Sequence, residues 1–177
     1  MASMSENLPK PSLAVRVWPL VAAALVIVAD QITKALVVAF IPVDSVIWSW
    51  GNDFFWLVHQ RNTGVAFSLG NNLPAVARSA MFVVLPLMIL VGLGVYAWRD
   101  RTLTTLQRWA LGLILGGGLG NIIDRIFRPE GVVDFLSVRL YGFLGMERFA
   151  TFNVADSGVT VGGALIVLSL LLGRKRK

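Results

Sequence analysis

The sequence predicts a polytopic α-helical membrane protein, with four transmembrane helices and a small extracytoplasmic β element. Three observations carry that prediction. The 177 residues are 56% hydrophobic and only 15% charged, with a mean hydropathy of +0.72. A water-soluble domain averages roughly a quarter charged residues, and this chain cannot cover a globule with so few. Apolar segments of close to span length, about 20 residues for a hydrocarbon core of about 30 Å, recur along the chain. A polar, aromatic-rich stretch then separates the first of these from the second. With loops still to supply, the length allows about four or five spans in one domain, so 1–177 reads as a single membrane-embedded unit.

The first segment, 17–40, is interrupted by Asp30 and Lys34, and the second, 75–98, contains Pro86, which is expected to kink it. The third covers 106–123 and the fourth 155–173. Residues 1–14 form a tail, and the apolar run after them is too long for a signal-peptide core and has no small-residue cleavage site. The first span is therefore retained. Lys10 and Arg16 flank it, Arg99, Arg101 and Arg108 fall between the second and third spans, and Arg174, Lys175, Arg176 and Lys177 follow the fourth. The other two connections are balanced or slightly acidic. Both termini, including the basic tail 174–177, are thus expected on the cytoplasmic side. Trp18, Trp98 and Trp109 fall at the expected inner ends and Trp48, Trp50 and Trp56 in the first outer loop, as aromatic belts require.

The third span places Gly112, Gly116 and Gly120 four apart, and the fourth repeats the pattern with Gly158 and Gly162. Small residues at that spacing let backbones approach closely, so these two helices are expected to pack together. In the outer loop 41–74, the runs 54–60 and 65–69 are aromatic and β-branched, and Arg61-Asn62-Thr63-Gly64 between them reads as a turn. A β hairpin is expected there, close to the membrane interface.

Several chemistries are excluded by composition. The chain has no cysteine and one histidine, His59, which removes thiolate catalysis, Cys-based metal sites and any multi-His cluster. Metal chemistry would have to rest on carboxylates alone, and no metal or organic cofactor is called for by the reading below. The net charge of +6 does not point to nucleic acid, because four basic residues form the C-terminal cluster, which suits an anionic leaflet. A serine nucleophile at Ser157 would need His59 as its base and lacks the GxSxG elbow. The Gly-x-Gly-Asp motif of presenilin-like proteases also fails, since Asn121 follows Gly118-Leu119-Gly120.

Polar residues inside an apolar chain need partners or a task. Asp30 and Lys34 stand at i and i+4, acid first, the favourable order for a pair on one helix face. Either they neutralise each other, or Asp30 faces the bundle interior and supports a site. Asn121, Asp124 and Arg125 share one face at the outer end of the third span. Asp134 stands among Val132, Val133 and Phe135, and Phe152-Asn153-Val154-Ala155-Asp156-Ser157 opens the last span. There Asn153 or Asp156 can serve as N-cap and first-turn acid, where the helix end stabilises negative charge. All four groups fall at one expected depth, towards the outer face. Converging carboxylates of this kind can form a pair, one ionised and one protonated, that activates water and protonates a leaving amine. Spacing alone does not choose which of Asp124, Asp134 and Asp156 form it.

Five blocks in order resemble a known family. Asp30-Gln31-x-x-Lys34, Asn62-Thr63-Gly64-Val65-Ala66-Phe67-Ser68, Gly120-Asn121-Ile122-Ile123-Asp124-Arg125, Val132-Val133-Asp134-Phe135 and Phe152-Asn153-Val154-Ala155-Asp156-Ser157 are similar to the signature blocks of bacterial lipoprotein signal peptidase, or signal peptidase II. The resemblance runs from the first span to the last. It implies an intramembrane aspartyl endopeptidase of the bacterial cytoplasmic (inner) membrane, which removes signal peptides from prolipoproteins by cutting before a diacylglyceryl-modified cysteine. It further implies Asp134 and Asp156 as the catalytic pair and Asp124 as a supporting acid. By the same resemblance, Asp30, Asn62, Asn121, Arg125 and Asn153 line or brace the site, which lies in the second outer loop, 124–154, and around it. The expected partners are the lipid-modified precursor and membrane lipid, and a monomer is expected. The segment 135–150 matches no block. A competing reading, a small proton-coupled transporter or channel, would use the buried acids as proton carriers; against it, they cluster towards one face and form no chain across the bilayer.

Overall fold

The computed structural model describes residues 12–63 and 74–174. Helix α1 is Leu13–Phe40 and α3 is Thr105–Phe127. Between them lies α2, a helix running over 75–99, and α4 is Val154–Arg174. Among the described residues these four helices are long and apolar enough to cross a membrane. The chain is a multi-pass membrane protein, and each helix overlaps one of the apolar segments.

Local chemistry sets the ends. Ser12 caps α1 by accepting the Val15 N–H at 3.4 Å. Thr104 and Gln107 form a reciprocal capping box at α3, which satisfies two N–H groups that have no partner inside the helix. In α2 the expected disturbance at Pro86 takes a definite form. A π-helical turn, Ala80–Val84, directly precedes Leu85–Arg99, and widening the helix there accommodates a ring that has no N–H and would strike the preceding turn.

The glycine stripes divide between two neighbours. Gly112 and Gly116 face α1, where a Cβ at Gly116 would lie 2.6 Å from the Ala23 carbonyl oxygen and one at Gly112 would strike that of Pro19. The approach of α4 to α3 instead uses Gly117, against Ala155, and Gly162, whose Cβ would lie 2.6 Å from the Ala110 carbonyl oxygen. Helices α3 and α4 do pack closely, as expected, but the stripe 112/116 serves α1. A helix buried in the middle of a bundle needs small residues on more than one face.

The β element is a three-stranded antiparallel sheet, ordered β1 (Val46–Trp50), β2 (Phe55–Asn62), β3 (Val132–Val138). Its hairpin differs from the expected one. The turn lies at Gly51, Asn52 and Asp53, all with positive φ (66°, 55° and 64°), and Trp50 pairs with Phe55 across it. Gly-Asn-Asp tolerates the left-handed backbone that tight turns need. Arg61 and Asn62, read as a turn from sequence, continue β2 because Val133 and Val132 claim them as partners. The expected second strand, 65–69, lies outside the described residues.

Val133 and Phe135 project from the sheet onto Val37 and Ile41 at the end of α1, with Leu57, Leu136 and Val154 around them. The segment 135–150, which matched no block, completes β3 and returns along it. Arg148 lies over the Trp56 ring at 3.5 Å and donates to Ser137 Oγ and the Asp53 carbonyl, both at 2.9 Å. Mutual Leu136–Phe152 hydrogen bonds of 2.8 and 2.9 Å then lead the chain into α4. Asp134 and Asp156, 22 residues apart in sequence, are thereby brought to the same end of the bundle.

Candidate active site

The polar residues at the sheet end of the bundle form one continuous network. Its base is Lys34, which is fully buried. Its three N–H groups reach Asp30 Oδ2 at 2.8 Å, Asp124 Oδ2 at 3.0 Å and Asn121 Oδ1 at 2.8 Å. Asp124 also pairs with Arg128. Two acids thus face two cations, as burial demands. Gln31 ties the acids together, its amide donating to Asp30 and Asp124 and to the Gly120 carbonyl, each at 3.1 Å.

Each buried acid also holds a backbone N–H next to an aspartate above it. Asp30 Oδ1 accepts from Ala155 N at 2.9 Å, beside Asp156. Asp124 Oδ2 accepts from Val133 N at 3.1 Å, beside Asp134. The two readings of Asp30 left open by sequence are therefore both realised, since it pairs with Lys34 and also supports the upper layer.

That upper layer centres on Asn153, which is fully buried. Its Nδ2 donates to Asp134 Oδ1 at 2.7 Å, while its backbone N–H donates to Asp156 Oδ2 at 3.1 Å. In return its Oδ1 accepts from Asp156 N at 2.9 Å. This is a reciprocal cap at the start of α4, so Asn153 and Asp156 do act as the expected cap and first-turn acid. The capping role does not use up the carboxylate. Asp156 Oδ1 accepts from Asn121 Nδ2 at 2.7 Å, and Asp134 Oδ2 accepts from Asn62 Nδ2 at 3.1 Å.

Asp134 is 3% exposed. Burial, and next the negative charge of Asp156, push its carboxyl from the ordinary value of 3.8 up to about 7, against the opposing hydrogen bonds from Asn62 and Asn153. Among the described residues no group of three or more His, Asp or Glu is arranged to hold a metal.

Of the residues expected from sequence, Asp134, Asp156, Asn62, Asn121 and Asn153 meet directly. Asp30 touches the network from below. Its carboxylate and the Asn153 side chain are enclosed and hydrogen-bonded within the protein. Arg125 donates to the Asn121 carbonyl at 3.3 Å and lines a cavity of about 160 Å³ with Asn62, Thr63, Phe82 and Gly131. Sequence reasoning missed the joints made by Gln31 and the three-way reach of Lys34. Their presence in one block with Asp30 was the available signal. His59 is buried too, and its Nδ1 meets the Ile41 carbonyl at 2.7 Å, which ties β2 to the end of α1.

A four-helix membrane bundle that carries two aspartates linked through one asparagine, above a neutralised ionic base, has the parts that aspartic-type peptide hydrolysis needs. Residues 22–172 match the family model of signal peptidase (SPase) II, peptidase family A8, and the chain belongs to that family. A lipoprotein signal peptidase of Treponema denticola is 47% identical over 160 residues, 90% of this chain and 92% of that protein. One from Treponema pallidum is 40% identical over 157 residues, 89% and 84% of the two chains. In three dimensions the chain resembles a bacterial membrane enzyme solved in meso at 2.3 Å, with a TM-score of 0.76, 26% identity and coverage of 96% of this chain and 95% of the other. A second such structure, at 1.9 Å, gives a TM-score of 0.74 at 27% identity, covering 92% and 96%.

Proposed function

We propose that this chain removes the signal peptide from diacylglyceryl-modified prolipoproteins, cutting before the lipidated cysteine, with Asp134 and Asp156 activating a water between them. The observation that carries the proposal is the joint grip of Asn153 on both aspartates, beside the raised pKa of Asp134. Near neutral pH Asp134 can then carry a proton. Asp134 holds that proton and gives it to the leaving amine. Asp156 accepts two N–H groups and takes a proton from the water as it attacks the scissile carbonyl. No metal or organic cofactor enters the scheme.

Asn62 and Asn121 keep the carboxylates aimed, and Arg125, lining the cavity beside Asn62, meets the peptide backbone or the lipid headgroup. Acyl chains lie against the exposed apolar faces of the helices. The enzyme works as a monomer in the cytoplasmic membrane, with both termini cytoplasmic and the sheet end facing outwards. The arrangement of basic residues supports that orientation.

The test is a gel-shift assay of the purified chain with a diacylglyceryl-modified precursor. Cleavage of that precursor, with none of an unlipidated one and none by Asp134→Asn, is the expected result. Equal cleavage of the unlipidated precursor would overturn the substrate assignment, and turnover by Asp134→Asn would overturn the mechanism.

A further inference from the structure

At the opposite end of the bundle, we propose that Arg16 and Arg108 form a binding site for the phosphate of an anionic lipid headgroup. Arg16 lies in the first turn of α1, and its guanidinium sits 5.3 Å from the centre of the Trp98 ring on α2. Its Nε is buried and has no hydrogen-bond partner. Arg108, in the first turn of α3, is 3% exposed. It donates to the Ala97 and Asp100 carbonyls at 2.7 and 2.5 Å, closing the end of α2, but its Nε is likewise buried without a partner. The two arginines share one cavity with Pro19, Leu20, Trp98 and Gly112, and among the described residues no acidic one lines it.

Charge decides what fits. Arg108 is offset by the carbonyl end of α2, whereas Arg16 stands at a helix N-terminus that is itself positive and, among the described residues, faces the Trp98 ring without an acidic partner. The neighbouring Asp100 carboxylate is taken by the Thr102 backbone N–H and hydroxyl, both at 2.6 Å. Water would satisfy the two Nε–H groups and leave the charge of Arg16 unmatched; an anion satisfies both. The cavity holds about 30 Å³, enough for one or two oxygen-sized groups. A single phosphate oxygen therefore enters, and the rest of the headgroup stays at the mouth. Leu13, Trp18 and Leu20 on the same helix are 72%, 56% and 49% exposed, a surface for acyl chains rather than for a free ion.

Native mass spectrometry of the full chain, purified with an equal mixture of phosphatidylglycerol and phosphatidylcholine, tests this. The wild-type chain is expected to retain phosphatidylglycerol selectively, and Arg16→Gln to bind it about fivefold more weakly, the worth of one basic group at a membrane surface. Arg174→Gln removes the same charge at the same end of the bundle and should bind as wild type does. Equal losses in the two variants, or no selectivity in the wild type, would overturn the site. Displacement of the lipid by millimolar inorganic phosphate would reassign it to the free ion and overturn the lipid proposal. Should Arg16→Gln not purify, the wild-type chain decides alone, through a thermal shift expected with phosphatidylglycerol and not with phosphatidylcholine.

Discussion

Lys34 donates to Asn121 Oδ1 at 2.8 Å, and this bond settles which way the Asn121 amide faces. Only an oxygen can accept from an ammonium group, so Nδ2 is left to donate to Asp156 at 2.7 Å. A residue on α1 thereby aims a side chain of α3 at a carboxylate of α4. Asn121→Leu should break this relay. Turnover is expected to fall about 100-fold while thermal stability drops by about 1–3 kcal/mol, the usual cost of stranding buried polar partners. Comparison of kcat with the unfolding midpoint separates the two effects, and an unchanged kcat would refute the aiming role.

The loss of Lys34 has a different signature. Lys34→Met leaves Asp30 and Asp124 close together with one cation, Arg128, which pairs with Asp124. Removing one member of a buried ionic group costs about 3–5 kcal/mol. The variant is expected to unfold at a markedly lower temperature in detergent, whatever its activity. A midpoint equal to wild type would show that the base does not support the fold.

Either Asp134→Asn or Asp156→Asn is expected to lower precursor cleavage at least about 1,000-fold, since groups that act as a unit fail together. The double variant should be scarcely worse than either single one. Membrane insertion, read from the yield of folded protein, should persist. Independent losses that multiply would argue against a shared water.

The raised pKa of Asp134 makes activity and stability fall together as pH rises. Its protonated form is the one the fold favours, up to about 7 against 3.8 ordinarily. Its contribution to stability is therefore complete below about pH 3.8 and is lost as pH rises through about 7. A pH profile of kcat/KM should fall on the alkaline side with a midpoint near 7, as Asp134 loses its proton. At pH 8 Asp134→Asn should be inactive and yet more stable than wild type, as a site that holds a disfavoured charge predicts. Equal melting of the two proteins at pH 8 would contradict the burial argument.

Helix spacing reaches the site through Gly117. A Cβ there would strike the Ala155 carbonyl oxygen, one residue from Asp156, so Gly117→Ala must push α4 outwards. Overpacking of this kind costs about 1–3 kcal/mol, and turnover should fall along with stability. Gly92→Ala, where a Cβ meets nothing within 4 Å, is the control and should leave both unchanged.

Sequence alone determined the four spans, because an apolar stretch of span length has few other fates and the signal accumulates over about 20 residues. It also brought out the polar residues that matter, since each is conspicuous in an apolar chain, and the ordered blocks carried the family. The sheet was only half legible. Val46–Trp50 is β-branched and aromatic nearly throughout, and Gly51-Asn52-Asp53 is strong turn chemistry, yet the weaker signal at Arg61–Gly64 was read in their place. Pairing with β3, about 70 residues away, overrode it, and local propensity holds no record of such a partner. The remaining decisions were tertiary. Which face of α3 meets α1, which acids become braces and which face each other, and how one asparagine comes to hold two aspartates all depend on side chains from separate helices converging. Periodicity reports the face a residue occupies on its own helix, whereas burial, charge pairing and a shifted pKa arise only once several elements enclose the same volume.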